Sequence, residues 1–113
     1  MTTPAGPGAK LIRDRVPAIM AARGQPCAWH LADPAEYAAR LHAKLLEEAR
    51  EAIAAQHPAE LLEELGDVLQ VLYTLAAQAG IGPAEIECAR ARKAHLRGGF
   101  TRGVVWHGPH QPT

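Results

Sequence analysis

Pro58 stands between two runs of about twenty residues in which apolar side chains recur at three- and four-residue steps. Before it lie Tyr37, Leu41, Leu45, Ala49 and Ala52; after it lie Leu61, Leu65, Val68, Leu72 and Leu75. That spacing predicts two amphipathic helices with buried stripes. Proline has no amide hydrogen to donate and disfavours helical geometry in the residue before it, so Pro58 ends the first helix and opens the second. The chain is therefore expected to be all-α, a bundle built on a long antiparallel helix hairpin. Asp33-Pro34-x-Glu36 supplies an N-cap, a first-turn proline and a capping-box acid for the first long helix. Gly80 stops the second. Pro17 starts a short helix halted by Gly24, and Pro83 starts a last one that ends at Gly98-Gly99.

The hairpin places acids in register. Glu48 and Glu51 share a face of one helix, Glu64 and Asp67 a face of the next. Counted from Pro58 at about 1.5 Å per residue, Glu51 falls level with Glu64 and Glu48 with Asp67. Four carboxylates would converge, and hard dications such as Mg²⁺ or Mn²⁺ take oxygen ligands of this kind. The same spacing also fits two solvated helix faces. Such faces normally interleave bases, however, and residues 47–67 set seven acids against Arg50 alone, a net −6.

That acidity is hidden in the total. The 113 residues hold 12 basic and 12 acidic side chains, yet residues 1–24 sum to +3 and residues 88–113 to +5. Arg90, Lys93 and Arg97 form one stripe, with a Gly-Gly behind them that lets backbone approach a ligand; Lys10, Arg13 and Arg15 cluster at the other end. Acids that could hold a dication beside bases that could hold phosphate suit a metal-bound polyphosphate. An acidic centre and the lack of interleaved aromatics argue against nucleic acid as a partner.

Several other classes fall away. No apolar run is long enough for a membrane span, and MTTPAGPGAK lacks the core of a signal peptide, so a cytoplasmic location is expected. Cys27 and Cys88 form no disulfide framework or zinc motif. The histidines at 30, 42, 57, 95, 107 and 110 show no ligand spacing, and no Glu-x-x-His element supports a redox di-metal bundle. Residues 10–107 read as one domain between tails at 1–9 and 108–113. Cys27–Leu31 and Gly103–His107 read as short strands, with Trp29 and Trp106 packed in the core or between subunits.

Glu47-Glu48-Ala49-Arg50-Glu51, followed after twelve residues by Glu64-Leu65-Gly66-Asp67, resembles the Glu-Glu-x-x-Glu…Glu-x-x-Asp signature of the all-α nucleoside triphosphate pyrophosphohydrolases. This MazG-like superfamily includes dimeric dUTPases and phosphoribosyl-ATP pyrophosphohydrolase. KLIRDRVPAIM and ARKAHLRGGFTRGVV look more narrowly like its short house-cleaning members, often labelled phosphoribosyl-ATP pyrophosphohydrolase-like. The resemblance covers residues 10–107. It implies a MazG-like bundle in which the two short strands pair as a small appendage, and Mg²⁺ held by Glu48, Glu51, Glu64 and Asp67. Glu47 and Glu51 would activate water, while Lys44, Lys93, Arg97 and Arg13 would contact phosphate. Gln70 departs from the glutamate expected there in many close relatives.

The implied reaction is Mg²⁺-dependent conversion of a nucleoside triphosphate to monophosphate and pyrophosphate, in house-cleaning of non-canonical nucleotides. Phosphoribosyl-ATP hydrolysis in histidine biosynthesis is one alternative. A non-catalytic nucleotide- and metal-binding regulator is another, since binding would use the same residues. The second long helix is apolar on several sides, with Leu62, Leu69, Val71 and Ala76 beyond its main stripe, so a homodimer or higher homo-oligomer is expected.

Overall fold

The computed structural model describes residues 8–110, which form four helices: α1 (Val16–Ala22), α2 (Pro34–Ala54), α3 (Pro58–Gln78) and α4 (Pro83–Arg97). Of the tails expected at 1–9 and 108–113, residues 1–7 and 111–113 lie outside the described residues. Each helix begins where its proline requires. Asp33 caps α2, its side chain accepting the Glu36 amide at 2.9 Å. Glu36 does not return the contact as a capping box would, because its carboxylate pairs instead with His30 at 2.7 Å and with Arg40 at 3.2 Å. His57, extended at φ −132°, ψ 148°, turns the corner ahead of Pro58. Beyond α3 the chain turns through Gly80 at φ +75°, a conformation that a side chain would strain.

α2 and α3 pack on each other as the antiparallel hairpin. Their seam holds Leu41, which is 1% exposed, and Val71, which is 8% exposed. On α2 the expected stripe faces inward: Tyr37, Leu45, Ala49 and Ala52 are half-buried beside Leu41. On α3 the packed face is rotated from the leucine stripe. Glu64, Asp67, Val68, Val71, Thr74 and Leu75 lie toward α2, while Leu62, Leu65, Leu69 and Leu72 remain exposed. At 3.6 residues per turn, the acids at 64 and 67 and the leucines at 62, 65 and 69 cannot all face one partner. The intrachain seam takes the acids.

α4 does not pack on this hairpin. The long axis measures 66 Å, about twice the ~31 Å length of a 21-residue helix. The radius of gyration is 19.2 Å, against about 13 Å for a compact chain of this size.

The expected two-stranded appendage does not form, and the described residues contain no strand. A strand persists only with a partner to complete its ladder, and Cys27–Leu31 and Gly103–His107 do not pair. Trp29 and Trp106, at 62% and 80% exposed, pack in no core within the single chain.

Candidate metal and phosphate site

Glu48 is the buried charged residue of the hairpin, 7% exposed, two helical turns beyond the seam's Leu41 and one beyond Lys44. Helical spacing carries it there, because positions 41, 44, 45 and 48 fall on one face of α2. Two carboxylate triads share it. Oxygens of Glu48, Glu64 and Asp67 lie within 4.8 Å of one another across the seam, as do oxygens of Glu47, Glu48 and Glu51 along α2. The register read from Pro58 thus brings Glu48 to Asp67. Glu51, exposed, stands with Glu47 rather than in the triad of Glu64 and Asp67.

Three bases reach these acids. Lys44 Nζ lies 3.4 Å from Glu47 Oε2 and 3.3 Å from Glu48 Oε1. Lys10 donates to Glu47 Oε1 at 3.0 Å, and Arg13 to Asp67 Oδ1 at 2.6 Å. The two neighbouring glutamates consequently diverge. Burial favours a neutral Glu47, but the Lys10 hydrogen bond and the charge of Lys44 outweigh it and hold the carboxyl below its usual range. Burial dominates at Glu48 and, with Glu51 adding repulsion, pushes its carboxyl up despite Lys44.

Oε2 of Glu48 and Oε2 of Glu64 are sealed from solvent without any hydrogen-bond partner among the described residues. Orphaned carboxylate oxygens are costly, and an all-oxygen donor set on two facing helices is what a hard dication satisfies. The residues therefore fit a divalent cation. Beside them opens a cavity of about 360 Å³. Glu48, Asp67, Lys44 and Arg13 form its charged wall; Leu41, Val71, Leu11 and Ile12 form an apolar one; Tyr37, Gln70 and Thr74 add hydrogen-bonding groups. A charged end next to an apolar recess of this size suits a ligand that is part phosphate, part ring.

Lys93 and Arg97 are exposed on α4, away from the hairpin, and among the described residues neither forms an ion pair with the acids. Sequence reasoning grouped Lys10 with the N-terminal bases but did not find its contact to Glu47. It also missed Tyr37 and Thr74 as cavity residues. Thr74 lies seven residues, two helical turns, beyond Asp67 on the packed face of α3, and that spacing was the available signal.

The family model described as phosphoribosyl-ATP pyrophosphohydrolase matches residues 21–94. That span is well over half of the chain and contains both triads, Lys44 and Lys93, while Lys10, Arg13 and Arg97 fall outside it. No curated protein and no solved structure matches the chain. An all-helical hairpin carrying this acid pattern, together with the family match, makes the chain a member of the phosphoribosyl-ATP pyrophosphohydrolase family, pyrophosphohydrolases of the MazG-like all-helical superfamily.

Proposed function

We propose that the protein is a Mg²⁺-dependent nucleoside triphosphate pyrophosphohydrolase, releasing pyrophosphate and a nucleoside monophosphate, with Mn²⁺ as a substitute metal. The observation that carries this reading is the pair of orphaned oxygens, Glu48 Oε2 and Glu64 Oε2, buried beside a cavity with cationic and apolar walls. Glu48, Glu64 and Asp67 would hold the cation from across the seam, with Glu51 joining through its triad with Glu48. When bound, the dication neutralises phosphate charge and makes a nearby water more acidic.

The chain's own groups do the rest. Glu47, kept ionised by Lys10 and Lys44, or Glu51 takes a proton from the attacking water. Lys44 and Arg13 face the cavity and oppose the charge that builds on the departing pyrophosphate. Lys93 and Arg97 would reach the phosphates from a second copy, since α4 leaves its own hairpin.

A homodimer is supported by the surface. The accessible area is 10022 Å², whereas a compact 12.1 kDa chain exposes about 6000 Å². A stable interface removes roughly 1,600 Å², and exposed Leu62, Leu65 and Leu69 offer a continuous apolar face for it.

Nucleotide house-cleaning is the activity proposed first. The family match favours a second substrate, phosphoribosyl-ATP. Pyrophosphate release measured across ordinary and modified nucleoside triphosphates, dUTP and phosphoribosyl-ATP tests both. Turnover of modified triphosphates supports house-cleaning, and turnover confined to phosphoribosyl-ATP supports the second substrate. Nucleotide binding without release under saturating Mg²⁺ would mark a non-catalytic regulator.

A further inference from the structure

The segment at residues 9–13 is tied across the cavity by polar anchors. Arg40 Nη1 donates to the Ala9 carbonyl oxygen at 2.8 Å, Lys10 holds Glu47 at 3.0 Å, and Arg13 holds Asp67 at 2.6 Å. Two of these three anchors are acids of the carboxylate triads. The apolar hold is slight, because Leu11 and Ile12 are only half-buried. The strap also lies N-terminal to the span matched by the family model.

Asp67 cannot serve two cations equally. A dication drawn to the oxygens of Glu48, Glu64 and Asp67 weakens the claim of the Arg13 guanidinium on Asp67 and repels it. Arg13 itself lines the cavity. Once loosened from Asp67, it is free to turn to a phosphate that accompanies the dication, which a planar guanidinium grips in two places.

We infer that residues 9–13 form an electrostatic latch, in which Arg13 and the divalent cation compete for Asp67 and cation binding passes Arg13 to the substrate's phosphates. The latch rests on the reading of the triad as a divalent-cation site. It gives Arg13 two roles with opposite signs: it weakens binding of the metal alone and strengthens binding of the metal with polyphosphate.

The test is calorimetric titration of the full-length protein with Mn²⁺ alone, then of the Mn²⁺-loaded protein with pyrophosphate, for wild type, Arg13→Gln, Arg13→Lys and Glu48→Gln. Arg13→Gln should bind Mn²⁺ about three- to fivefold more tightly, the scale of a half-exposed ion pair. It should bind pyrophosphate about tenfold more weakly, with Arg13→Lys between wild type and Arg13→Gln in both. In the wild type, Mn²⁺ should also speed trypsin cleavage after Arg13, and pyrophosphate should slow it again. Unchanged or weaker Mn²⁺ binding by Arg13→Gln, with Glu48→Gln silent and wild type binding, overturns the latch and leaves the metal centre standing. Failure of the wild type to bind Mn²⁺ removes both. If Arg13→Gln does not fold, the wild-type cleavage decides, and a rate indifferent to Mn²⁺ overturns the latch.

Discussion

Lys44 Nζ lies 3.3 Å from Oε1 of Glu48, one helical turn further along α2, and among the described residues it is the ion-pair partner of that buried carboxylate. The other oxygen of Glu48 has no hydrogen-bond partner among them. The hairpin thus closes over a charge that is only half compensated.

Removing the cation exposes that imbalance. Lys44→Met should destabilise the EDTA-treated protein by about 1–3 kcal/mol, the scale for stranding a buried charged partner. Saturating Mn²⁺ should recover most of the loss, because the dication supplies the missing positive charge. Urea unfolding with and without Mn²⁺ measures both values. Equal stability of Lys44→Met and wild type in EDTA would contradict the pairing.

Removing the anion acts the other way. A carboxyl whose pKa rises on folding contributes stability below its unfolded value and loses it as the pH rises through the folded value. Glu48 is such a group, so at pH 8 its charge opposes folding. Glu48→Gln should raise the melting temperature in EDTA at pH 8, lose that advantage as the pH falls, and abolish Mn²⁺ binding. A lower melting temperature in EDTA at pH 8 would speak against the assignment.

The α3 acids should matter for chemistry more than for folding. Glu64→Gln and Asp67→Asn are each expected to cut Mg²⁺-dependent pyrophosphate release by about a hundredfold or more. Circular dichroism should stay that of the wild type. Near-normal turnover in either variant would remove that residue from the site.

Acid should loosen the N-terminal anchorage. The His30 hydrogen bond holds the Glu36 carboxyl below its ordinary value of 4.5, with Arg40 adding to the effect. Its contribution is therefore present above that value and fades as the pH falls through the lowered folded value. Glu36→Gln should flatten the decline of stability below pH 4.5, followed by thermal melts across an acid series. An unaltered acid limb would show that these contacts carry no stability.

The leucine face of α3 is testable by charge. Leu65→Asp and Leu69→Asp place a carboxylate on an apolar surface that is 50% and 45% exposed in the single chain. If a second copy covers it, sedimentation at micromolar concentration should shift from dimer to monomer. A wild type that is already monomeric would refute the interface.

The helix limits were legible because Pro34, Pro58 and Pro83 impose local geometry that no packing can override. Glu48 opposite Asp67 was legible for a related reason, since residue counts from a fixed corner become distances along two helices. The packed face of α3 was not. Leucine spacing at Leu61, Leu65 and Leu72 names the most apolar face, not the one that meets α2, and the carboxylates at 64 and 67 belong to the latter. The strands failed for want of a partner: Val104 and Val105 favour extended backbone but remain 78% and 76% exposed. The contact of Lys10 with Glu47 spans 37 residues and followed from no local rule.

By giving its seam to carboxylates, the hairpin leaves most of its leucines outside. If a second copy covers those leucines, as proposed, mass action enters catalysis. With Lys93 and Arg97 carried on α4, which does not pack on its own hairpin, specific activity should fall on dilution below the dimer's dissociation constant. Mixing inactive Glu48→Gln with inactive Arg97→Gln should restore part of it, since one mixed pair retains a site with both functions intact.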